Sequence, residues 1–422
     1  MKEQITLKDN ILFIGSGMKP FENANGICTT PLMKALREKQ KKVFYLDWMA
    51  NGTETFTRED GIVICGPNSS GSNETSKIGS TECVKKSRFL KIKKCLASLY
   101  GRTLFPFHSV RRTIFLCKQA DRICKENNIG VIVAFYQPFV TLFAGYYSKC
   151  RNKAVSFIPY YFDLISNPYI PFKFNSVRRQ KQIAKKWENR INKKALFPIY
   201  MVASQSFHNK YHSKKSWFDK IKYLDIPLYA PRKQETKRQE KEPSAEINLL
   251  FCGYIGDHRN VEYFLKILSK LPDQVKFTLV GNITANQNKV LKEFDQRHPG
   301  RIHYVGYVEH EKLSVILEDA DCLVNFGVLS QTAISAKTYE YISYCKPIIM
   351  TYAIDEEPSV RILKKYPLSY FIDERKDIDE QSISRLFAFL QKARNERIDI
   401  TALDNEFSLN KAETFANLIT SI

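Results

Sequence analysis

The sequence predicts an α/β protein made of two doubly wound parallel-sheet units in series. Three observations carry this. Apolar strand patterns alternate with amphipathic helical patterns over most of the chain, as crossover helices between parallel strands require. The alternation stops at a polar, proline-bracketed stretch, "PLYAPRKQETKRQEKEP", and then starts afresh. The length, 422 residues, exceeds what a single hydrophobic core usually supports, so two domains are the default.

The first unit, residues 1–230, opens with "NILFIGSG", an apolar run ending in Gly15 and Gly17. A loop holding Asn25 and Gly26 follows, then the helical pattern "TPLMKALREKQ" and the strand pattern "KKVFYLDW". That is a βαβ unit. "GIVICG", "IGVIVAFYQP", "AVSFIPYYFD" and "FPIYMVASQS" continue the strand series, which makes the unit Rossmann-like. Residues 231–243 read as an interdomain linker. The second Rossmann-like unit, residues 244–406, runs "INLLFCGYIG", helix "NVEYFLKILSKL", strand "VKFTLVG", helix near "NQNKVLKEFDQ" and strand "IHYVGYV". It continues with helix "HEKLSVILEDA", strand "DCLVNFG", helix "AISAKTYEYISY" and strand "KPIIMTY". The tail, residues 407–422, contains the amphipathic pattern "NKAETFANLI" and is expected to pack back on the first domain.

Composition narrows the function classes. No run approaches the ~18–20 apolar residues that cross a bilayer. "MKEQITLKDN" is too polar for a secretory signal, so a cytoplasmic protein is expected. The ten cysteines are scattered, with no C-x-x-C pair and no Cys/His spacing typical of zinc; they read as reduced and mostly buried, and no structural metal is expected. The net charge of +21 is unevenly placed. Residues 1–240 hold 43 Lys and Arg against 18 Asp and Glu, whereas residues 241–422 hold 22 against 26. A basic half beside a neutral one implies an anionic partner: nucleic acid, a phospholipid surface or a phosphorylated substrate.

The N-terminal "GSG" does not complete a dinucleotide fingerprint, because Pro20 stands where the third glycine belongs, and no phosphate-binding G-x-x-x-x-G-K-[ST] occurs. Two readings of Gly15, Gly17, Asn25 and Gly26 stay open: a plain tight turn, or a loop that lets substrate reach backbone amides at a helix N-terminus. The second unit says more. In "YIGDHRN", after the strand closed by Gly253, Arg259 precedes a helix, a position suited to a diphosphate. In "DCLVNFGVLSQTAISAKTYEYI", Asn325 and Gly327 end a strand and a polar loop with Gln331 leads to Ser335 and Lys337 at a helix start. Ser335 offers an acceptor to the first amides and Lys337 can meet an anion. Glu340, one turn in, has the two oxygens that suit a ribose diol. A capping box would need Glu or Gln at position 338, which is Thr338.

The pattern N-x-G…Q…S-x-K-x-x-E-Y-I-x-x-x-K-P-I-I resembles the nucleotide-sugar site of bacterial glycosyltransferases of the GT-B fold, close to glycosyltransferase family 4. "LLFCGYIGDHRNVEYFLKIL" is similar to the opening of that domain in capsular and O-antigen transferases. The likeness is specific over 249–352 and only architectural before that. It implies two Rossmann-like domains facing a cleft, with Glu340 as the second acid of the family's Glu–seven residues–Glu motif, holding the donor ribose. Arg259, Lys337 and Ser335 would hold the donor diphosphate. The first acid of the motif falls on Thr332, a departure that leaves the sugar and the stereochemistry open. The resemblance also implies that no metal or other cofactor is needed, the nucleotide-diphospho-sugar being a substrate.

A catalytic group would come from the first domain. Asp163, after "AVSFIPYYF", is the only acid between Glu126 and Glu188, and His108 is the other candidate; Asp163 has a structural ion pair as its alternative role. "VKKSRFLKIKKCLASL" (84–99) is basic and amphipathic, of the kind that rests on anionic lipid. Lys173 to Lys194 holds nine basic residues and one acid, with Phe172, Phe174 and Trp187 interleaved. Ordinary surface helices are the alternative for both. No nucleic-acid module accompanies them, so no nucleic-acid partner is expected. The expected function is a glycosyltransferase, peripheral on the inner face of the plasma membrane. It would pass a sugar to a glycan or polyprenyl-diphosphate-linked acceptor in surface polysaccharide synthesis. A GT-B-fold sugar-nucleotide 2-epimerase and a non-catalytic nucleic-acid- or membrane-binding protein are the rival readings.

Overall fold

A computed structural model describes residues 9–17, 23–49, 55–65, 105–107, 109–165, 176–232, 246–256, 259–329 and 334–422. The chain divides into two compact units, Met1–Pro227 with Ala412–Ile422, and Leu228–Lys411. Both are parallel-sheet, Rossmann-like α/β units.

The first unit runs β1 (Asn10–Gly15), α1 (Ala24–Glu38), β2 (Lys42–Asp47), β3 (Thr55–Thr57), β4 (Val63–Cys65), α2 (Val110–Glu126), β5 (Val131–Tyr136), α3 (Phe139–Arg151), β6 (Ser156–Tyr161), α4 (Val177–Lys194), β7 (Ile199–Met201), α5 (Gln205–Tyr211) and β8 (Lys222–Leu224). Its eight-stranded sheet has the order β3-β4-β2-β1-β5-β6-β7-β8, parallel except for β3. Residues 11–15 of β1 and all of β6 are buried, which is why these strands read as unbroken apolar runs rather than alternations. The short edge strands β3 and β8 and the helix α5 carry too little pattern to be read from sequence.

The second unit runs β9 (Ile247–Cys252), α6 (Val261–Lys270), β10 (Val275–Val280), α7 (Ala285–Arg297), β11 (Ile302–Gly306), α8 (His310–Asp319), β12 (Cys322–Phe326), α9 (Ala336–Ser343), β13 (Ile348–Tyr352), α10 (Pro358–Leu363), β14 (Ser369–Asp373), α11 (Glu380–Ala393) and α12 (Ile400–Glu406). The sheet order is β11-β10-β9-β12-β13-β14. In strand count from the unit's start this is 3-2-1-4-5-6, the doubly wound dinucleotide-fold order, and it reverses direction between β9 and β12. The core of this unit is aromatic at its centre, with Phe251, Phe264, Phe277 and Phe326 in mutual edge and tilted contacts.

The last helix, α13 (Ala412–Thr420), belongs to the first unit. Its Phe415 is 1% exposed and lies 6.0 Å from Phe13 and 5.9 Å from Tyr160. Burying one such ring stabilises by roughly 1.5–3 kcal/mol, enough to hold so short a helix in place. Residues 233–245, most of the expected linker, lie outside the described residues.

One helix starts earlier than its sequence pattern. Asn25 and Gly26 are not in a loop but in the first turn of α1, because the Asn23 side chain accepts from the amides of both, at 2.9 and 3.3 Å. Pro31, which marks a helix start by propensity, sits inside α1 instead.

Candidate functional site

Open doubly wound sheets bind ligands beyond the carboxyl ends of their strands, where the strand order reverses. In the second unit that point lies between β9 and β12, and the chain furnishes it with charge. Gly253 ends β9 at φ +153°, with its carbonyl packed against Gly281, where any Cβ would meet it at 2.0 Å. The backbone then turns to Arg259, just before α6. The Arg259 guanidinium donates from Nη1 to the Phe326 carbonyl at 2.8 Å, at the end of β12, and stacks over the Phe251 ring at 5.4 Å. A cation is thus held across the reversal point by one carbonyl and one ring face.

The helix α9 supplies the opposite wall. Tyr341 is fully buried, and its hydroxyl accepts from the Cys252 amide at 2.8 Å, pinning the helix to the end of β9. Ser335 stands at the N-cap, but its side chain makes no cap hydrogen bond. The helix therefore begins half-buried with its first amides left uncapped by the Ser335 side chain, an electropositive end suited to an anion. One turn in, Lys337 Nζ and Glu340 Oε2 form an ion pair at 2.7 Å, their side chains 21% and 13% exposed. The fields of Arg259 and Glu340 both reach Tyr341, and those of Lys337 and Glu340 both reach Cys252. The three charged side chains expected from sequence share one neighbourhood.

Asn325 is fully buried and donates from Nδ2 to Thr338 Oγ1 at 3.0 Å, tying β12 to α9. Gly327 is also a packing requirement: a Cβ there would lie 2.6 Å from the Thr351 carbonyl and 2.7 Å from Glu357 Oε2. Gln331 and His108 lie outside the described residues.

Glu357 is a buried carboxylate beside this edge that sequence reasoning missed. It is 1% exposed and accepts from the Val328 amide at 3.0 Å, which anchors the loop after β12. Burial pushes its carboxyl up to about 7, with the Val328 amide pulling the other way and Arg259 adding a smaller opposing field. The one local signal was its position before Pro358, the first residue of α10. Its partner lies far away in sequence.

The first unit ends its central strands differently. Gly17 has φ +91°, and its amide donates to Asp47 Oδ2 at 3.1 Å; Asp47 Oδ1 takes the Met49 amide at 2.8 Å. Asn25 donates to the Gln137 carbonyl at 2.9 Å and to Ser16 Oγ at 3.2 Å, and Ser16 Oγ donates to the same carbonyl at 3.1 Å. Gly15 passes under the Tyr45 hydroxyl, where a Cβ would clash at 2.7 Å. The amides of Gly17, Asn25 and Gly26 are thus engaged within the protein. Asp163 follows β6 by two residues, half-buried, and forms no hydrogen bond or ion pair with another described residue. Desolvation raises its carboxyl above the usual range, and the Tyr136 phenol, raised first by burial, also feels it.

Segment 84–99 lies outside the described residues, as do Phe172 and Phe174. Helix α4 buries Gln180, Ala184, Glu188, Ile191 and Asn192 and exposes Arg178, Arg179, Lys185, Lys186, Arg190, Lys193 and Lys194. Trp187 is half-buried under the Arg190 guanidinium, which lies 5.1 Å over its ring. It packs inward on Phe107, Phe139 and Phe143 at 5.4–5.7 Å. Among the described residues no helix is long and apolar enough to cross a membrane.

No protein-family model and no curated protein matches the sequence. Solved structures match over nearly the whole chain. Sucrose-phosphate synthase from Thermosynechococcus elongatus aligns at TM-score 0.64 and 12% identity, covering 98% of this chain and 97% of its own. A glycosyltransferase from Rickettsia africae aligns at 0.63 and 13%, covering 98% and 97%. HepE of Anabaena, in complex with UDP, aligns at 0.60 and 11%, covering 98% of each. Two parallel-sheet Rossmann-like units in one chain, matched end to end by such enzymes, define the fold as GT-B, that of the glycosyltransferases.

Proposed function

We propose that the protein is a glycosyltransferase that takes its sugar from a nucleotide-diphosphate donor bound at the carboxyl edge of the β9–β12 pair. The observation that carries this reading is the Arg259 guanidinium fixed on the Phe326 carbonyl, with the start of α9 left uncapped by the Ser335 side chain. Together they form a cationic cradle at the position where a doubly wound sheet takes its ligand. The complex of HepE with UDP, on the same fold, supports it.

In this reading Arg259 and the first amides of α9 hold the donor diphosphate, Lys337 adds its charge, and Glu340 turns from Lys337 to the ribose diol. The acceptor hydroxyl attacks the anomeric carbon, the bond from that carbon to the diphosphate oxygen breaks, and the nucleoside diphosphate leaves with its new charge met by Arg259, Lys337 and the helix end. No metal is needed for that neutralisation. Asp163, its carboxyl raised by desolvation, takes the proton of the acceptor hydroxyl. The acceptor is a lipid-linked glycan of surface polysaccharide, in the manner of family 4 transferases. The exposed cations of α4 rest the first unit on the anionic inner membrane surface, each contributing about 1 kcal/mol.

Calorimetric titration with UDP, GDP and CMP and their common sugar conjugates tests this on the unaltered protein, Arg259→Ala and Glu340→Ala. Saturable binding of one nucleoside diphosphate, weakened in both variants, is the expected result. Absence of nucleotide binding, or unchanged binding in both variants, overturns it. Transfer assays with liposomes of anionic and of neutral lipid then test the acceptor surface.

A further inference from the structure

A second group of ligating side chains lies in the first unit, outside the residues of the proposed reaction. Glu188 on α4, His208 on α5 and His212 just after α5 are 1%, 0% and 4% exposed. One donor atom from each lies within 4.8 Å of the other two, and Glu188 Oε2 is 3.9 Å from His212 Nε2. His208 Nδ1 is 3.1 Å from the Tyr223 hydroxyl, while His208 Nε2 and His212 Nδ1 are buried with no hydrogen-bond partner. The Tyr200 hydroxyl donates to Glu188 Oε1 at 2.8 Å and accepts from Asn192 Nδ2 at 2.8 Å. Tyr200, Phe207 and Trp217 wall the group with their rings, at 4.2 Å from His208 and at 5.5 and 5.2 Å from His212.

This is an expensive arrangement for a hydrophobic core. Buried polar atoms are nearly always hydrogen-bonded, and here two ring nitrogens are not. Two histidines four apart on one helix face bring both imidazoles to one point, the spacing that metal-binding helices use. In the tautomer with its proton on Nδ1, His208 donates to the Tyr223 hydroxyl, which leaves Nε2 with its lone pair and fixes the ring, as the outer contacts of ligating histidines do.

We propose that Glu188, His208 and His212 form a binding site for one divalent transition-metal ion of the zinc type, with water as the fourth ligand. A mixed imidazole and carboxylate set suits zinc, and metal–ligand distances of about 2.0–2.2 Å require only that the three side chains close in by a fraction of an ångström to about one. The ion fastens α4 to α5. The site is independent of donor binding and of the chemistry proposed above. It also differs from the sequence expectation of no structural metal, because its carboxylate sits on a different helix from the two histidines.

The test uses the full chain, stripped with chelator and titrated with cobalt(II) as a coloured stand-in and then with zinc(II). One equivalent of cobalt should bind with the intense visible absorption of a four- or five-coordinate site. Zinc should displace it and raise the unfolding midpoint. Glu188→Gln, which keeps an acceptor for Tyr200, and His212→Gln should each weaken cobalt binding by about 100-fold. Uptake without a defined stoichiometry, the faint spectrum of a six-coordinate ion, or full binding retained in both variants overturns the proposal. Where a variant does not fold, the spectrum of the unaltered protein decides. Nucleotide titration of the same stripped protein reads the other unit, so either proposal can fail without the other.

Discussion

The two sheets of this protein reverse strand order in the same way and finish that reversal with opposite charge. At β1–β5 the chain supplies its own anion. Asp47 takes the amides of Gly17 and Met49, Asn23 takes those of Asn25 and Gly26, and Asn25 closes the crossing on the Gln137 carbonyl. At β9–β12 it supplies a cation: Arg259 lies on the Phe326 carbonyl, and the Ser335 side chain leaves the start of the helix that follows uncapped. Fold topology thus says where a ligand could go in both units. The local chemistry differs: the cation that the proposed donor site needs is at the second edge, and the glycine-rich loop is at the other one. A glycine run is a weak sign of phosphate binding unless its amides are left available.

The largest break of this comparison comes from removing the cation. Arg259→Met should lower kcat/KM for the donor by about 1000-fold, since it takes away both a diphosphate contact and the group that organises the end of β12. Arg259→Lys should recover little, because an ammonium cannot both span to Phe326 and meet a diphosphate. Steady-state kinetics with the donor identified by titration checks this. Equal turnover in Arg259→Met would mean that the charged edge of the second unit is structural.

The next effect belongs to the other edge. Asp163→Asn should lower kcat by about 100-fold with donor affinity unchanged, as expected for loss of a general base. Desolvation raises the carboxyl of Asp163, so the acid limb of the unaltered enzyme's pH–rate profile should lie above the range of an exposed aspartate, with activity lost as pH falls through it. The variant should lack that limb. A retained limb would move the proton transfer to another group.

How far the sequence foretold these edges depends on the range of the contacts involved. The strand–helix alternation was legible because buried parallel strands and amphipathic helices write local patterns, as "VKFTLV" and "VEYFLKILSK" do. The positions of Arg259, Lys337 and Glu340 at helix starts were legible as well, because a strand end followed by a helix start fixes their approximate place. What escaped is set by distant partners. The contact of Asn325 exists only through Thr338, and the role of Glu357 only through Val328. The start of α1 was misjudged for the reverse reason. Pro31 is a strong local helix-start signal, yet the Asn23 cap wins by satisfying two amides.

A smaller effect sharpens the reading of Glu340. Glu340→Gln should weaken nucleotide binding by about 10-fold, the cost of exchanging a charged acceptor for a neutral one. It should also erase the preference of the protein for a ribonucleotide over its 2′-deoxy analogue. The same loss of affinity for both nucleotides would show that the carboxylate serves only to hold Lys337.

The smallest effect reads the buried carboxylate of Glu357 by pH. Glu357 has a folded pKa of about 7 against an ordinary 4.5. Between those values the folded protein keeps a proton that the unfolded chain has released. Its contribution to stability is fully present below about 4.5 and is lost as pH rises through 7. Every tenfold difference in proton affinity between the two states corresponds to about 1.4 kcal/mol. Allowing for relaxation around the site, Glu357→Gln, which keeps an acceptor for the Val328 amide and never ionises, should be more stable than the unaltered protein by about 2 kcal/mol at pH 8. At pH 5 the difference should nearly vanish. Denaturant unfolding at the two pH values measures it. An equal gain at both would trace the effect to packing around Gly327 rather than to the buried charge.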